Sequence, residues 1–111
     1  MNKSTHILLK KCGVPAHLSG YRYLGEAIEM VRSDYKVLKA ITKVLYPSIA
    51  MKFDTTPARV ERAIRHAIEI AFDNLAADEV KEIFGNTFHY SGDRPMNSHF
   101  IAALAEMVED D

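Results

Sequence analysis

The chain has 111 residues, of which 48% are hydrophobic and 26% are charged, and this length and balance suit one globular domain with a buried core. No apolar run approaches the roughly 20 residues of a membrane-spanning helix, and no signal-peptide segment follows Met1, so we expect no membrane partner. Cys12 is the only cysteine. A lone cysteine excludes an internal disulfide framework and favours a cytoplasmic location.

Charge is divided unevenly along the chain, although the net charge is only −1. Residues 1–66 contain 12 Lys or Arg and 5 Asp or Glu, a balance of +7, whereas residues 67–111 contain 2 and 10, a balance of −8. The basic part can approach the phosphates of a nucleic acid, whereas the acidic part should face away from them. The near-neutral total argues against strong non-specific binding and leaves specific binding open.

Three apolar patterns with helical spacing precede residue 46. Pro47 should break or restart the third pattern, and Pro15 makes residues 14–20 a connection. Gly25 within the second pattern predicts close packing against a neighbour. The first predicted helix is capped by Ser4 or Thr5 and ends near Gly13, with Ile7, Leu8 and Leu9 facing inward. The second runs from Tyr21 to about Tyr35, and its inward residues are Tyr23, Leu24, Ala27, Ile28 and Val31. Residues 36–45 continue as a helix, with Val37, Leu38, Ile41 and Leu45 facing inward.

The chain after residue 73 predicts two more helices and a loop. A turn at 74–77 leads to a short acidic helix over 78–84, which Gly85 ends. Residues 86–90 give a weak strand signal, and 91–95 are a loop by composition. The last helix is capped by Asn97 or Ser98 and runs to about Val108, with Phe100, Ile101, Leu104 and Met107 inward. The whole pattern predicts an all-α fold, a compact bundle of about six helices.

The most informative stretch is residues 47–73, which has the pattern of a helix-turn-helix. A short helix follows Pro47, a three-residue linker over 54–56 comes next, and Thr56 and Pro57 are suited to the cap and first position of a longer helix over 57–73. At 100° per residue, one arc of the longer helix is apolar. This arc contains Val60, Ala63, Ile64, Ala67, Ile68 and Ala71, with Ile70 at its edge, and the opposite arc contains Ala58, Arg59, Glu61, Arg62, Arg65, His66 and Glu69.

Three arginines on the outer arc, all in the N-terminal half of this helix, favour insertion into the major groove of DNA. The alternative is an ordinary helical hairpin whose arginines are only solvated. The residues alone give little support to a metal-binding protein or an enzyme. The four histidines other than His66, together with Cys12, lack the spacing of a metal site. The sequence also has no phosphate loop, nucleophile elbow or catalytic carboxylate pair. We therefore expect no enzyme activity and no cofactor.

Several long runs of the chain are similar to one known family. From about residue 5 to residue 107, the sequence resembles the C-terminal effector domain of the sporulation master response regulator of endospore-forming Firmicutes. The matching runs are 14–17, 20–21, 26–28, Ile41-Thr42-Lys43-Val44-Leu45-Tyr46-Pro47, 59–69 with its core Arg59-Val60-Glu61-Arg62-Ala63-Ile64-Arg65-His66, 84–85, 97–98 and 100–102.

The resemblance implies a six-helix bundle with an embedded helix-turn-helix that binds double-stranded DNA at a promoter box resembling TGTCGAA. It also implies a tandem head-to-tail homodimer on DNA, activation or repression of transcription, and contact with the RNA polymerase sigma factor. In that family a phosphorylated receiver domain precedes the effector domain. We expect residues 1–111 to be a single effector domain without the receiver, acting in the cytoplasm at the nucleoid.

The resemblance also assigns roles on the outer arc of the helix 57–73. The family's base-contacting motif falls on Glu61, Arg62 and Arg65. Arginine can donate two parallel bonds to guanine, and Glu61 can accept from cytosine or pair with Arg65 four residues on. Contacts to the DNA backbone are expected from Arg59 and His66, although His66 can also be a solvated imidazole. Lys43, Lys52 and Thr56 are further candidates for such contacts, with plain surface residues as the alternative. Ala58 stands where the family commonly has serine and so lacks one hydroxyl contact.

A second function remains open beside DNA reading. The chain can instead be a protein-interaction domain that recruits the sigma factor or another regulator, with DNA binding incidental. The acidic segment 73–84 and the loop 85–95 would then form its binding surface.

Overall fold

Helices make up about three quarters of the described residues in this computed structural model, which describes residues 1–88 and 94–109. The expected all-α fold is confirmed, and no strand occurs in these two ranges. No helix within them is long and apolar enough to cross a membrane. The six α-helices are α1 (Lys3–Lys11), α2 (Ser19–Ser33), α3 (Tyr46–Lys52), α4 (Pro57–Asn74), α5 (Ala77–Phe84) and α6 (Asn97–Met107), and a 3₁₀-helix (Tyr35–Ala40) and a π-helix (Ile41–Leu45) join α2 to α3.

Helix α2 is the centre of the bundle. It packs most extensively against α4 and α6 and also contacts α1, α3 and the 3₁₀-helix. The stripe that the sequence predicted on α2 is confirmed as buried, and the buried set also includes Gly20, Tyr21 and Gly25. Burial of this apolar surface on every side holds the bundle together.

The first turn of α2 and the middle of α4 approach each other closely. A Cβ atom added to Gly20 would lie 2.3 Å from the Ala63 carbonyl oxygen and 2.8 Å from the Ala67 Cβ. Only a residue without a side chain allows the two backbones to come this near. Gly20 therefore fixes how deeply α4 sits on α2.

Helices α3 and α4 have an arrangement that is compatible with a helix-turn-helix. Ile49 and Ala50 are buried on α3, and the turn closes with a bond from the Thr55 N–H to the Ala50 carbonyl at 2.9 Å. Asp54 adopts a left-handed backbone with φ of 54°, a conformation that Asp tolerates better than most residues. The Thr56 hydroxyl caps α4, as predicted, by accepting from the Arg59 N–H at 3.2 Å.

Four aromatic rings attach the C-terminal part of the chain to α4. Phe72 on α4 lies between the rings of Phe84, Phe88 and Phe100, with centroid separations of 5.9 to 6.1 Å. The Phe84 and Phe88 rings meet edge to face at 5.0 Å. These contacts place α5 and the part of α6 around Phe100 against the C-terminal half of α4.

Two of the expected helix caps are wrong. Asn2, not Ser4 or Thr5, caps α1 by accepting from the Thr5 N–H at 2.8 Å. At α6 the cap position is Met96, without a side-chain bond, because the amide of Asn97 is used elsewhere. Ile7, expected to be buried, is 58% exposed.

The segment between α2 and α3 differs most from the expectation. Residues 36–45 were expected to continue as an ordinary helix, but they form the 3₁₀-helix and the π-helix. Val37, Leu38 and Ile41 are only partly buried, and Leu45 alone is fully buried. The predicted change at Tyr46 is confirmed, since α3 begins there with Pro47 in its first turn. The weak strand signal at 86–88 is wrong, because these residues form a turn and a bend, and the remainder of 86–90 and residues 91–93 lie outside the described residues.

Replacing Gly20 with alanine should destabilise the protein by about 1–3 kcal/mol, because a fixed backbone carbonyl stands where the new methyl group would go. Chemical denaturation with urea measures the free energy of unfolding. Gly25→Ala is the matched control on the same helix. Its added Cβ would meet only the end of the Met1 side chain, which can move away, so this variant should lose much less. Equal losses in the two variants would contradict the role given to Gly20.

Candidate nucleic-acid interface

The N-terminal two-thirds of α4 present a charged face to solvent. The structure buries Val60, Ile64, Ala67, Ile68 and Ala71 of the predicted apolar arc, with Ala63 partly buried and Phe72 added. All seven residues of the predicted outer arc are exposed, namely Ala58, Arg59, Glu61, Arg62, Arg65, His66 and Glu69. The helical period that was read from the sequence therefore places the three arginines on one accessible surface.

The start of α4 offers a backbone donor as well as charge. The first N–H groups of a helix have no partner within the helix. Pro57 carries no N–H, and Arg59 donates its own to the Thr56 hydroxyl, so Ala58 supplies the remaining amide of the first turn. Ala58 is exposed, and its small side chain leaves this amide accessible. Helix N-termini of this kind attract anions such as phosphate.

Arg65 is engaged by Glu61 on the protein surface. Its guanidinium donates to the Glu61 carboxylate at 2.7 Å, with both side chains about half exposed. A surface pair at this spacing contributes about 0.3–0.5 kcal/mol. This free energy is small compared with that of a bidentate hydrogen bond to a base. The pair therefore orients Arg65 but does not prevent its guanidinium from binding a base.

Four further basic side chains are unengaged within the part of the chain that the structure describes. The side chains of Arg59, Arg62, His66 and Lys43 make no hydrogen bond or ion pair to another residue of 1–88 or 94–109. Arg62, Arg65 and His66 share a shallow depression of about 430 Å³ with Ala63 and Glu69. The structure therefore brings three of the predicted DNA-binding side chains together.

Lys43 and Lys52 meet at a second place. They line a depression of about 410 Å³ together with Val44, Pro47, Ser48 and Met51. Lys52 is also paired with Glu26 of α2 at 2.8 Å and lies 5.8 Å from the centre of the Phe53 ring. Any contact of Lys52 with a phosphate must therefore compete with Glu26, whereas Lys43 meets no such competitor in the described ranges.

One residue at the site was assigned the wrong role by the sequence pattern. Asn97, expected as a helix cap, donates from its side-chain amide to the Tyr46 hydroxyl at 3.0 Å and to the Glu61 carbonyl at 3.2 Å. Burial raises the pKa of the Tyr46 hydroxyl. These residues line a cleft of about 430 Å³ that also contains Arg65 and Met96. No periodic signal in the sequence points to a contact between residues this far apart in the chain.

Acidic residues also lie on α5 and near the C-terminal end of α4. Asp78, Glu79 and Glu82 are exposed on α5, and Glu79 caps its own helix by accepting from the Ala76 N–H at 3.0 Å. Asp73, near the end of α4, pairs with Arg94. The aromatic contacts that hold α5 on the C-terminal half of α4 keep these carboxylates away from Arg59 and Arg62, as the charge division of the sequence predicted.

The described residues give no support to a metal site or a reactive thiol. The described ranges contain no group of three His, Cys, Asp or Glu residues that could hold a metal ion. Cys12 is buried, and burial raises the pKa of its thiol to about 12. A thiol with so high a pKa stays protonated and makes a poor nucleophile.

A comparison with protein-family models gives one finding. A model described as "Sporulation initiation factor Spo0A C terminal" matches residues 5–108, which covers nearly all of the chain and every residue of the α4 face.

Proposed function

Because the chain belongs to the family of the sporulation initiation factor Spo0A C-terminal domain and is thus a sporulation-related DNA-binding effector domain, we propose that it regulates transcription by reading a TGTCGAA-like promoter box with α4 in the major groove. The observation that carries this proposal is the exposed face of α4, where Arg59, Arg62 and Arg65 lie opposite a fully packed apolar arc. A helix held this firmly from behind can present its outer side chains to a groove without reorganisation.

Base reading is assigned to Arg62, Arg65 and Glu61. Arg62 has no partner to give up among the described residues, so its guanidinium is free to donate two bonds to the O6 and N7 atoms of a guanine. Arg65 can do the same after leaving Glu61, at the small cost of an exposed ion pair. The released Glu61 carboxylate can then accept from a cytosine amino group, so the ion pair and the base contacts are successive states of the same two side chains.

Contacts to the DNA backbone are assigned to the residues around this centre. Arg59 and the Ala58 amide stand at the N-terminus of α4, where a phosphate is favoured. Thr56 can donate its hydroxyl proton, because its oxygen only accepts in the cap. The His66 ring can donate an N–H to a phosphate, and Lys43 and Lys52 supply further positive charge. Such contacts fix the position of the domain on the duplex and add little sequence preference.

Two further properties of the proposed regulator concern its partners. On DNA, two copies bind tandem boxes head to tail as a homodimer. The exposed acidic side chains of α5 then contact the sigma factor of RNA polymerase, since they are held on the part of the molecule that DNA would repel. A function limited to protein interaction would use the same acidic surface but would not need the arginine face.

Arg62→Ala should remove most of the preference for the box over a scrambled duplex. Loss of one bidentate contact costs about 1–3 kcal/mol, which is a fall of roughly 5-fold to 150-fold in the ratio of the two dissociation constants. Fluorescence anisotropy with both duplexes at several salt concentrations measures this ratio.

Lys43→Ala is the matched control, because it removes one equally exposed positive charge from outside α4. It should weaken binding to both duplexes about equally and lower the salt slope by about one unit. An Arg62→Ala variant that kept the full preference would show that this residue does not read a base.

Two tandem boxes should bind two copies cooperatively, so that the second copy binds more tightly than a copy on a single-box duplex. Sedimentation or anisotropy titrations of one-box and two-box duplexes measure the difference. Inserting about five base pairs between the boxes moves one copy to the opposite side of the duplex, and cooperativity should then be lost. Independent binding at the original spacing would contradict the tandem dimer.

Glu82→Lys should weaken binding to the sigma factor while leaving the affinity for the box unchanged, since Glu82 is exposed on α5 and distant from the arginine face. Glu106→Lys reverses an exposed charge on α6 and serves as the control. A triple Arg59, Arg62 and Arg65 to Ala variant should show the converse pattern, with DNA binding lost and sigma binding retained. Loss of both activities in the triple variant would tell against a separate protein-binding surface.

A further inference from the structure

Asn97 bridges the two helices of the proposed DNA-reading unit from a third helix. It is the first residue of α6, and its Nδ2 atom donates to the Tyr46 Oη atom on α3 at 3.0 Å and to the Glu61 carbonyl oxygen on α4 at 3.2 Å. A side-chain amide nitrogen carries two hydrogens, so both bonds can exist together. A backbone carbonyl can only accept, so the nitrogen of the amide must face Glu61.

Asn97 contacts Glu61, the same residue that holds both the backbone and the side chain of Arg65. Within an α-helix the Glu61 carbonyl accepts from the N–H of Arg65, four residues later, and the Glu61 carboxylate holds the Arg65 guanidinium at 2.7 Å. Asn97 uses the second lone pair of the same carbonyl. A change at this peptide is therefore passed directly to both charged side chains of the pair.

The segment that carries Asn97 is fixed to α4 at a second point. Arg94 pairs with Asp73, and its guanidinium lies 6.0 Å from the centre of the Phe72 ring. Glu61 and Asp73 are twelve residues apart, which is about 18 Å along a helix. Residues 94–97 thus lie along α4 as a strap with one attachment near the aromatic cluster and the other beside the arginine face.

We infer that Asn97 is a positioning residue for DNA recognition, which holds Glu61 and Arg65 in the orientation that the box requires. This inference rests on the proposed function of α4. Asn97 acts through the Glu61 carbonyl and the Tyr46 hydroxyl, and it needs no contact with DNA. It affects discrimination between sequences through Glu61 and Arg65, while the backbone contacts of Arg59, Lys43 and Lys52 set affinity for any duplex.

The test compares Asn97→Ala with Asn74→Ala. Asn74 makes an equivalent bond at the other end of α4, from its Nδ2 atom to the Gly13 carbonyl at 3.1 Å, so both variants lose an amide bond to a backbone carbonyl. Asn97→Ala should lower the ratio of box to scrambled binding at least fivefold, with the scrambled affinity and the salt slope within twofold of the original protein. Asn74→Ala should leave the ratio within twofold. Equal ratios in the two variants would overturn the inference.

A second readout needs no DNA and separates failure of this inference from failure of the proposed function. Amide hydrogen exchange over residues 61–66 should be at least fivefold faster in Asn97→Ala than in Asn74→Ala, after correction for any change in global stability. If the original protein did not discriminate the box from the scrambled duplex, the proposed function would be wrong. Separately, equal exchange rates in the two variants would overturn the positioning role of Asn97.

If Asn97→Ala does not fold, Tyr46→Phe gives the same decision. It removes only the hydroxyl that accepts one of the two bonds, and it should lower the discrimination ratio at least twofold without changing the salt slope. An unchanged ratio in a folded Tyr46→Phe protein, together with unchanged exchange over residues 61–66, would overturn the inference.

Discussion

The close crossing of α2 and α4 is the constraint on which the rest of the structure depends. Gly20 allows the backbone of α2 to approach the Ala63 carbonyl, and the alanines at 63, 67 and 71 keep that side of α4 narrow. Because α4 sits so deeply, its opposite face is left to solvent over its whole N-terminal half. The same helix can then be both the second wall of the core and the surface that meets DNA.

Much of this architecture could be predicted from the sequence, because it depends on signals within a few residues. The 3.6-residue period separated the two faces of α4, and Thr56 with Pro57 placed its start to the residue. The connection between α2 and α3 could not be predicted. Its apolar residues have helical spacing, but only Leu45 is buried. The formation of 3₁₀ and π turns depends on contacts with the rest of the bundle. The cap at Asn2 was missed because two later residues had equally good cap chemistry.

The candidate site divides in the same way. The arginines of α4 were found because periodicity and composition coincide there, and the family resemblance assigned their roles. The pairing of Lys52 with Glu26 and the bridge made by Asn97 were not foreseen. Each joins residues that are 26 or more positions apart, and neither leaves a periodic trace in the sequence. Long-range polar contacts of this kind become visible only when the packing of the apolar faces has placed the helices.

The ion pair between Lys52 and Glu26 has a consequence for the thermodynamics of binding. A lysine that approaches DNA releases condensed cations from the duplex, and this release drives association at low salt. Here the protein already supplies an anion to Lys52, held at 2.8 Å by a side chain that cannot diffuse away. When Lys52 leaves Glu26 for a phosphate, the Glu26 carboxylate must attract a cation from solution. This uptake of a cation by the protein cancels part of the entropy gained when cations leave the duplex. In the proposed complex, such a built-in counterion would lower the affinity for arbitrary DNA and so increase the relative weight of the base contacts.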